Sequence, residues 1–229
     1  MSKSAEDFSR TFYSFLHEDE RRPAELTEEL RFSLLEKVRE SDDVRAKFFE
    51  ENTDAIIAAS LIMAKAFHRG GKLLVCGNGG SSTDAQHIAV EFMHPITVGR
   101  KALPAMCLSN DMAMVTAVAN DVSFNDVFSR QVIALGREGD ILLGLSTSGN
   151  SENIVRAFET ARRMKIATVG YAGGTGGKMA EMHASGALDF CLTVPTPSIH
   201  RIQESHVALY HTTWDLVHTF MEHKSLVEG

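Results

Sequence analysis

The sequence predicts an α/β fold, a parallel sheet of five strands covered by helices on both faces, with a helical arm in front of it. Three observations carry that prediction. Five short apolar runs are separated by stretches of helical length, Gly- and Ser-rich loops follow the first and third runs, and the early residues repeat their apolar positions at helical spacing. At 229 residues, with 44% hydrophobic and 23% charged content, the chain is long enough for a substantial core and suits one domain with an extension.

Residues 1 to about 40 are polar and charged, with Phe8, Phe12, Tyr13, Phe15, Leu26, Leu30, Leu34 and Leu35 spaced as on an amphipathic helix. Phe48, Phe49, Ile56, Ile57, Leu61, Ile62 and Phe67 continue a helical pattern up to Gly70 and Gly71, a glycine pair suited to a helix C-terminus. The strands are expected at 73–76, 105–108, 141–145, 166–170 and 188–194. They are joined by helix-length connections, as parallel neighbours must be. A final helix is expected from about 198 to 223, with Ile202, Leu209, Leu216, Val217 and Phe220 on its apolar side.

Several function classes are set aside by composition. With 30 acidic against 23 basic residues the formal net charge is −7, so nothing draws the whole chain to nucleic acid or to an anionic membrane. The N-terminus lacks the basic start and apolar run of a secretory signal, and no segment approaches the roughly 18 apolar residues of a membrane span. The expected location is the cytoplasm. Cys76, Cys107 and Cys191 sit singly in strand-like runs without CxxC spacing and read as core thiols.

Ligands of such sheets bind at the carboxyl ends of the strands, where loops enter helix N-termini that attract anions. After the first strand comes Gly77-Asn78-Gly79-Gly80-Ser81-Ser82-Thr83-Asp84, which is neither a dinucleotide fingerprint nor a Walker loop. It reads either as a ligand cradle or as a tight turn with a helix cap. After the third strand, Ser146, Thr147, Ser148 and Ser151 cluster four hydroxyls at a helix start, more than a cap needs and well suited to a phosphate monoester.

His87 and Glu91, four residues apart on the helix after the first loop, share one face. They could hold a divalent metal, act as an acid/base pair, or make an ordinary surface contact. Near the C-terminus, Gln203 and His211 lie eight residues apart on one helix, about 12 Å along it and roughly 80° around it. Both could hardly reach one ion from a straight helix. If they serve a single site, the simplest arrangement takes them from different subunits.

Together the ordered motifs GNGGSS..DAQH...E, VAND at 118–121, FND..SR at 124–130, GREGD at 136–140, STSGNS, GGKMA at 176–180 and RIQE..H....H closely resemble the phosphoheptose isomerases of the SIS superfamily over about residues 50–222. The resemblance implies an αβα sandwich, SIS-like, and the expected boundaries are 1–43 for the helical arm and 44–229 for the SIS domain. It further implies a homotetramer and conversion of sedoheptulose 7-phosphate to D-glycero-D-manno-heptose 7-phosphate.

Carried over by position, the resemblance implies substrate contacts at Asn78, Gly79, Gly80, Ser81, Asn120, Asp121, Ser146, Thr147, Ser148, Ser151 and Gln203. It implies one Zn²⁺ per subunit on His87, Glu91, Gln203 and His211, and proton transfer by Glu91 and His211. Metal ligation would lower the basicity of Glu91, so those two roles compete. Two departures bear on the sugar. Met93-His94-Pro95-Ile96 replaces a common Thr-Gly-Arg-Tyr stretch, and His200 replaces a common Asp. Three alternatives accompany the isomerase reading: an isomerase of another ketose phosphate, a non-catalytic SIS protein that binds a partner such as the replication initiator, and a sugar-phosphate sensor. The non-catalytic relatives lack the paired Glu and His that this chain keeps, and a sensor would need a second, basic domain that this chain does not show.

Overall fold

The computed structural model describes residues 23–228. The aromatic positions at 8–15 therefore lie outside the described residues. The chain divides into two compact units, one up to Glu40 and one from Ser41 onward. Helix α1 (Pro23–His68) runs through that boundary without interruption. In the first unit its apolar residues Leu30, Phe32, Leu34, Leu35 and Val38 are exposed.

In the second unit the elements after α1 are β1 (Leu73–Gly77), α2 (Gly80–Met93), β2 (Ala105–Cys107), α3 (Met112–Asp121), a 3-10 turn (Phe124–Asp126) and α4 (Val127–Leu135). They continue with β3 (Ile141–Ser146), α5 (Glu152–Arg163), β4 (Ala167–Gly173), α6 (Gly177–Ala184), β5 (Phe190–Val194), α7 (Ile199–Glu222) and α8 (Lys224–Val227). All strand pairs are parallel, in the order β2-β1-β3-β4-β5. Five parallel strands with helices on either side are the fold that the apolar runs predict.

Every residue of β1 and β3 is buried. Successive side chains of a strand point to opposite faces, so β1 feeds two cores. Leu73 and Val75 join Phe48, Met63, Ile88, Leu209 and Val217, from the second part of α1, α2 and α7. Leu74 and Cys76 join Val118, Val132, Phe158 and Met179, from α3, α4, α5 and α6. Cys76 and Cys107 are buried, Cys191 half-buried, all three are unpaired, and burial pushes each thiol up, away from reactive thiolate. Among the described residues no helix is long and apolar enough to cross a membrane.

The strand order places the site. From β1 the chain passes to β2 on one side, whereas β3 lies on the other. The helices after β1 and β3, α2 and α5, belong to opposite faces of the sheet. The loops leaving β1 and β3 thus diverge and open a crevice at their carboxyl ends.

Candidate active site at the carboxyl edge of the sheet

Both Gly/Ser-rich loops lie at that crevice. Gly79 takes φ +56° and leads into α2, whose first residue is Gly80. A methyl group on Gly80 would stand 2.3 Å from Gln203 Nε2, so Gly80 is what lets the α7 amide lie against the loop. Hydroxyls in the first turn of α2 are partly engaged: Ser82 donates to Gly79 O at 2.7 Å and Thr83 to Gly80 O at 2.6 Å. Ser81 is buried beside them.

The two loops are tied to each other. Asn78 Nδ2 donates to Asn153 Oδ1 and Asn153 Nδ2 donates to Asn78 Oδ1, each at 2.9 Å. Asn153 is not among the residues the sequence motifs point to. Its available signal is an amide in the first turn of α5, just after the Ser-rich loop. In that loop Ser146 and Ser151 hydroxyls are 2.9 Å apart, Ser148 lies 3.5 Å from Ser146, and Thr147 between them is half-buried. Ser151 is the N-cap residue of α5, yet its side chain makes no capping bond among the described residues. The hydroxyls face one another at the positive end of α5 and do not serve the helix, an arrangement suited to an anion. Gly149, with φ +65°, is fixed by its surroundings, since a Cβ there would meet Gly176 O at 1.9 Å.

A second group forms farther along α2. His87 Nε2 lies 3.1 Å from Glu91 Oε1, and the His87 and His211 rings are 5.2 Å apart, edge to face. One ligand atom from each of His87, Glu91 and His211 lies within 4.8 Å of the others. Two imidazoles and a carboxylate at that spacing are a donor set that suits a borderline cation such as Zn²⁺. The side chains of His87 and Glu91 are 44% and 22% exposed, so the group is open to substrate. Trp214 Nε1 donates to Glu91 O at 2.9 Å and locks α7 to the end of α2.

Behind this group are two further residues, Tyr210 and Asp84. Tyr210 Oη lies 2.8 Å from His87 Nδ1. Burial, then the nearby Asp84 and Glu91 carboxylates, push the Tyr210 hydroxyl up to about 12, so it stays protonated. Asp84 carries a buried Oδ2 with no hydrogen bond among the described residues. Burial raises its carboxyl, and His87 pulls it back down. The signal for Tyr210 is its spacing of seven from Gln203, which puts both on one face of α7.

Not every expected site residue gathers here. Gln203 lies beside Gly80, two turns before His87 on α2 and two turns before His211 on α7, about 10 to 12 Å away by helix rise. Gln203 Nε2 thus lies against the first loop, while His87, Glu91 and His211 gather farther along α2 and α7. Asn120 and Asp121 end α3, where Asn120 Nδ2 donates to Asp121 Oδ1 at 2.8 Å. Asp121 lines an open hollow of about 450 Å³ with Arg130 and Val118. In the departing stretch Ile96 and Val98 are exposed, and Arg100 turns back to donate to Asp215 Oδ1 at 2.7 Å over the Trp214 ring. His200 is exposed in the first turn of α7.

Comparison with known proteins bears on the family and the fold. Residues 38–173 match the SIS domain family. A phosphoheptose isomerase of Desulfovibrio desulfuricans is 45% identical over 183 residues, which cover 80% of this chain and 85% of that protein. The structure of a phosphoheptose isomerase from Neisseria gonorrhoeae superposes with a TM-score of 0.76 at 37% identity, covering 82% of this chain and 98% of the other. One from Francisella tularensis gives 0.71 at 36% identity, covering 81% and 98%.

Proposed function

This chain belongs to the phosphoheptose isomerase family of SIS-domain proteins, and from that premise we propose that it converts sedoheptulose 7-phosphate to D-glycero-D-manno-heptose 7-phosphate through an enediol. The observation that carries the reading is the meeting of His87, Glu91 and His211 within 4.8 Å, beside a crevice whose Ser-rich loop suits a phosphate.

Isomerisation of a ketose to an aldose moves a proton from C1 to C2 and needs a base, an acid, and a stabiliser of the enediolate oxygens. Glu91 is the base that takes the proton from C1 and returns it to C2 while it is free of metal, since ligation would lower its basicity. His211 moves the proton between the two sugar oxygens. Ser146, Thr147, Ser148 and Ser151 bind the phosphate with the N-terminus of α5, while Asn78, Gly79, Gly80, Ser81 and Gln203 hold the sugar against the first loop. Asn120 and Asp121 complete the substrate contacts. His87, Glu91 and His211 would hold Zn²⁺, with Gln203 of another subunit as the fourth ligand. The chemistry zinc supplies when bound is polarisation of the substrate carbonyl.

Two considerations support an oligomer, a tetramer by analogy with the family. Gln203 lies about two turns from His87 and His211 of its own chain by helix rise, and α1 exposes an apolar row in its first unit. We place the arm at 1–43, the catalytic domain at 44–229, and the protein in the cytoplasm, where three unpaired thiols are kept reduced. The paired Glu91 and His211 favour the enzyme over a partner-binding SIS protein. Solvent deuterium tests the mechanism. Turnover in D₂O should place deuterium at C2 of the aldose by NMR, and Glu91→Gln should abolish that incorporation. Complete retention of the original hydrogen would instead indicate direct transfer and remove Glu91 as base.

A further inference from the structure

His87 is bonded on both of its ring nitrogens. Nε2 faces Glu91 Oε1 at 3.1 Å and Nδ1 faces Tyr210 Oη at 2.8 Å. An ionised carboxylate only accepts, so Nε2 carries the proton in this pairing, and a neutral ring then presents Nδ1 as an acceptor. Tyr210 is therefore the donor. Ligation of a metal through Nε2 needs the opposite tautomer, with the lone pair on Nε2 and the proton on Nδ1. A carbonyl or carboxylate opposite Nδ1 could serve only that second state. A phenol serves both by turning its hydroxyl. Tyr210 is 3% exposed, lies edge-on to the His87 ring at 5.3 Å, and rests against the His211 ring at 4.6 Å, so its own position is fixed by packing.

We propose that Tyr210 is a positioning residue that holds His87 in either tautomer, donating to Nδ1 while Nε2 is bonded to Glu91 and accepting from Nδ1–H when Nε2 turns to a divalent cation such as Zn²⁺. The ring keeps one proton throughout, which leaves Nε2 and is replaced on Nδ1 by exchange with water. The second half of the proposal rests on the metal reading of His87, Glu91 and His211, and the first half does not.

The test uses the full chain labelled with ¹⁵N at histidine, with the His87 signal identified by its loss in His87→Asn. Tyr171→Phe serves as control, because it removes a buried hydroxyl bonded to Thr213 at 2.9 Å. Metal-free wild type should show His87 protonated on Nε2, and added Zn²⁺ should move the proton to Nδ1. Tyr210→Phe should lose the metal-free preference and bind Zn²⁺ roughly 10- to 100-fold more weakly in competition with a chromophoric chelator. Tyr171→Phe should keep both at wild-type values. His87 protonated on Nδ1 in the metal-free wild type would overturn the first half. Equal Zn²⁺ affinity in Tyr210→Phe and wild type would overturn the second. Failure of the wild type to bind Zn²⁺ at all would overturn the metal reading with the second half, and the metal-free spectrum would still decide the first.

Discussion

Ser151 separates two uses of a hydroxyl at a helix start. An ordinary N-cap hydroxyl is worth about 1 kcal/mol to the fold. That of Ser151 faces Ser146 at 2.9 Å and caps nothing among the described residues. Ser151→Ala should therefore leave the urea midpoint almost unchanged while raising KM for the sugar phosphate roughly tenfold, the worth of one hydrogen bond to a charged group. A lowered midpoint with unchanged KM would return Ser151 to a capping role. Four clustered hydroxyls stand out in the sequence because a cap needs only one. Asn153 and Tyr210 were not legible, because an amide in a first turn and a tyrosine on an apolar helix face are ordinary there. Only folding brings Asn153 to Asn78 and Tyr210 to His87.

At the scale of elements, the strands were the most readable part, since β1 and β3 are buried throughout and carry no polar side chain before Ser146 at the end of β3. The expected strand at 188–194 is shorter in the structure, Phe190–Val194, because Leu188 packs in the second core and Asp189 leaves the ladder to accept from Thr168 N and Oγ1, each at 2.8 Å. The pairing of α2 with α7, on which the site depends, joins residues more than a hundred positions apart and has no periodicity to announce it. One bond of α7 to the sheet makes a pH prediction. His206, wholly buried, lies with Nε2 3.1 Å from Ala172 O on β4, and burial lowers it to about 4 from an ordinary 6.5, against a smaller opposing effect of that bond. Below pH 6.5 the unfolded chain takes up a proton that the folded chain refuses. The stability from neutral His206 is thus complete above about 6.5 and is lost as pH falls toward 4, on the order of 3 kcal/mol in all. Urea denaturation across that range should show the slope, and His206→Gln, which can still donate to Ala172 O, should flatten it. An unaltered slope in the variant would assign the effect to other groups.

For the whole molecule, the claim to test is an intersubunit pocket, which the eight-residue spacing of Gln203 and His211 on one helix raises. Gln203 and His211 stand two turns apart on α7, where His211 meets His87 and Glu91 and Gln203 lies against Gly80. Gln203→Ala and His211→Ala should each be inactive alone, yet recover part of the activity when co-refolded, because mixed oligomers rebuild some complete sites. Absence of any recovery in verified mixed oligomers would place both residues in one subunit's site. The central claim has a more direct test in turnover of sedoheptulose 7-phosphate by the purified protein, with and without added Zn²⁺, beside Glu91→Gln and His211→Ala. The account predicts formation of the aldose heptose 7-phosphate by wild type and a loss of roughly 100-fold or more in each variant while the fold is kept. Wild-type protein that leaves the ketose unchanged under both conditions, or variants that turn it over as wild type does, would contradict it.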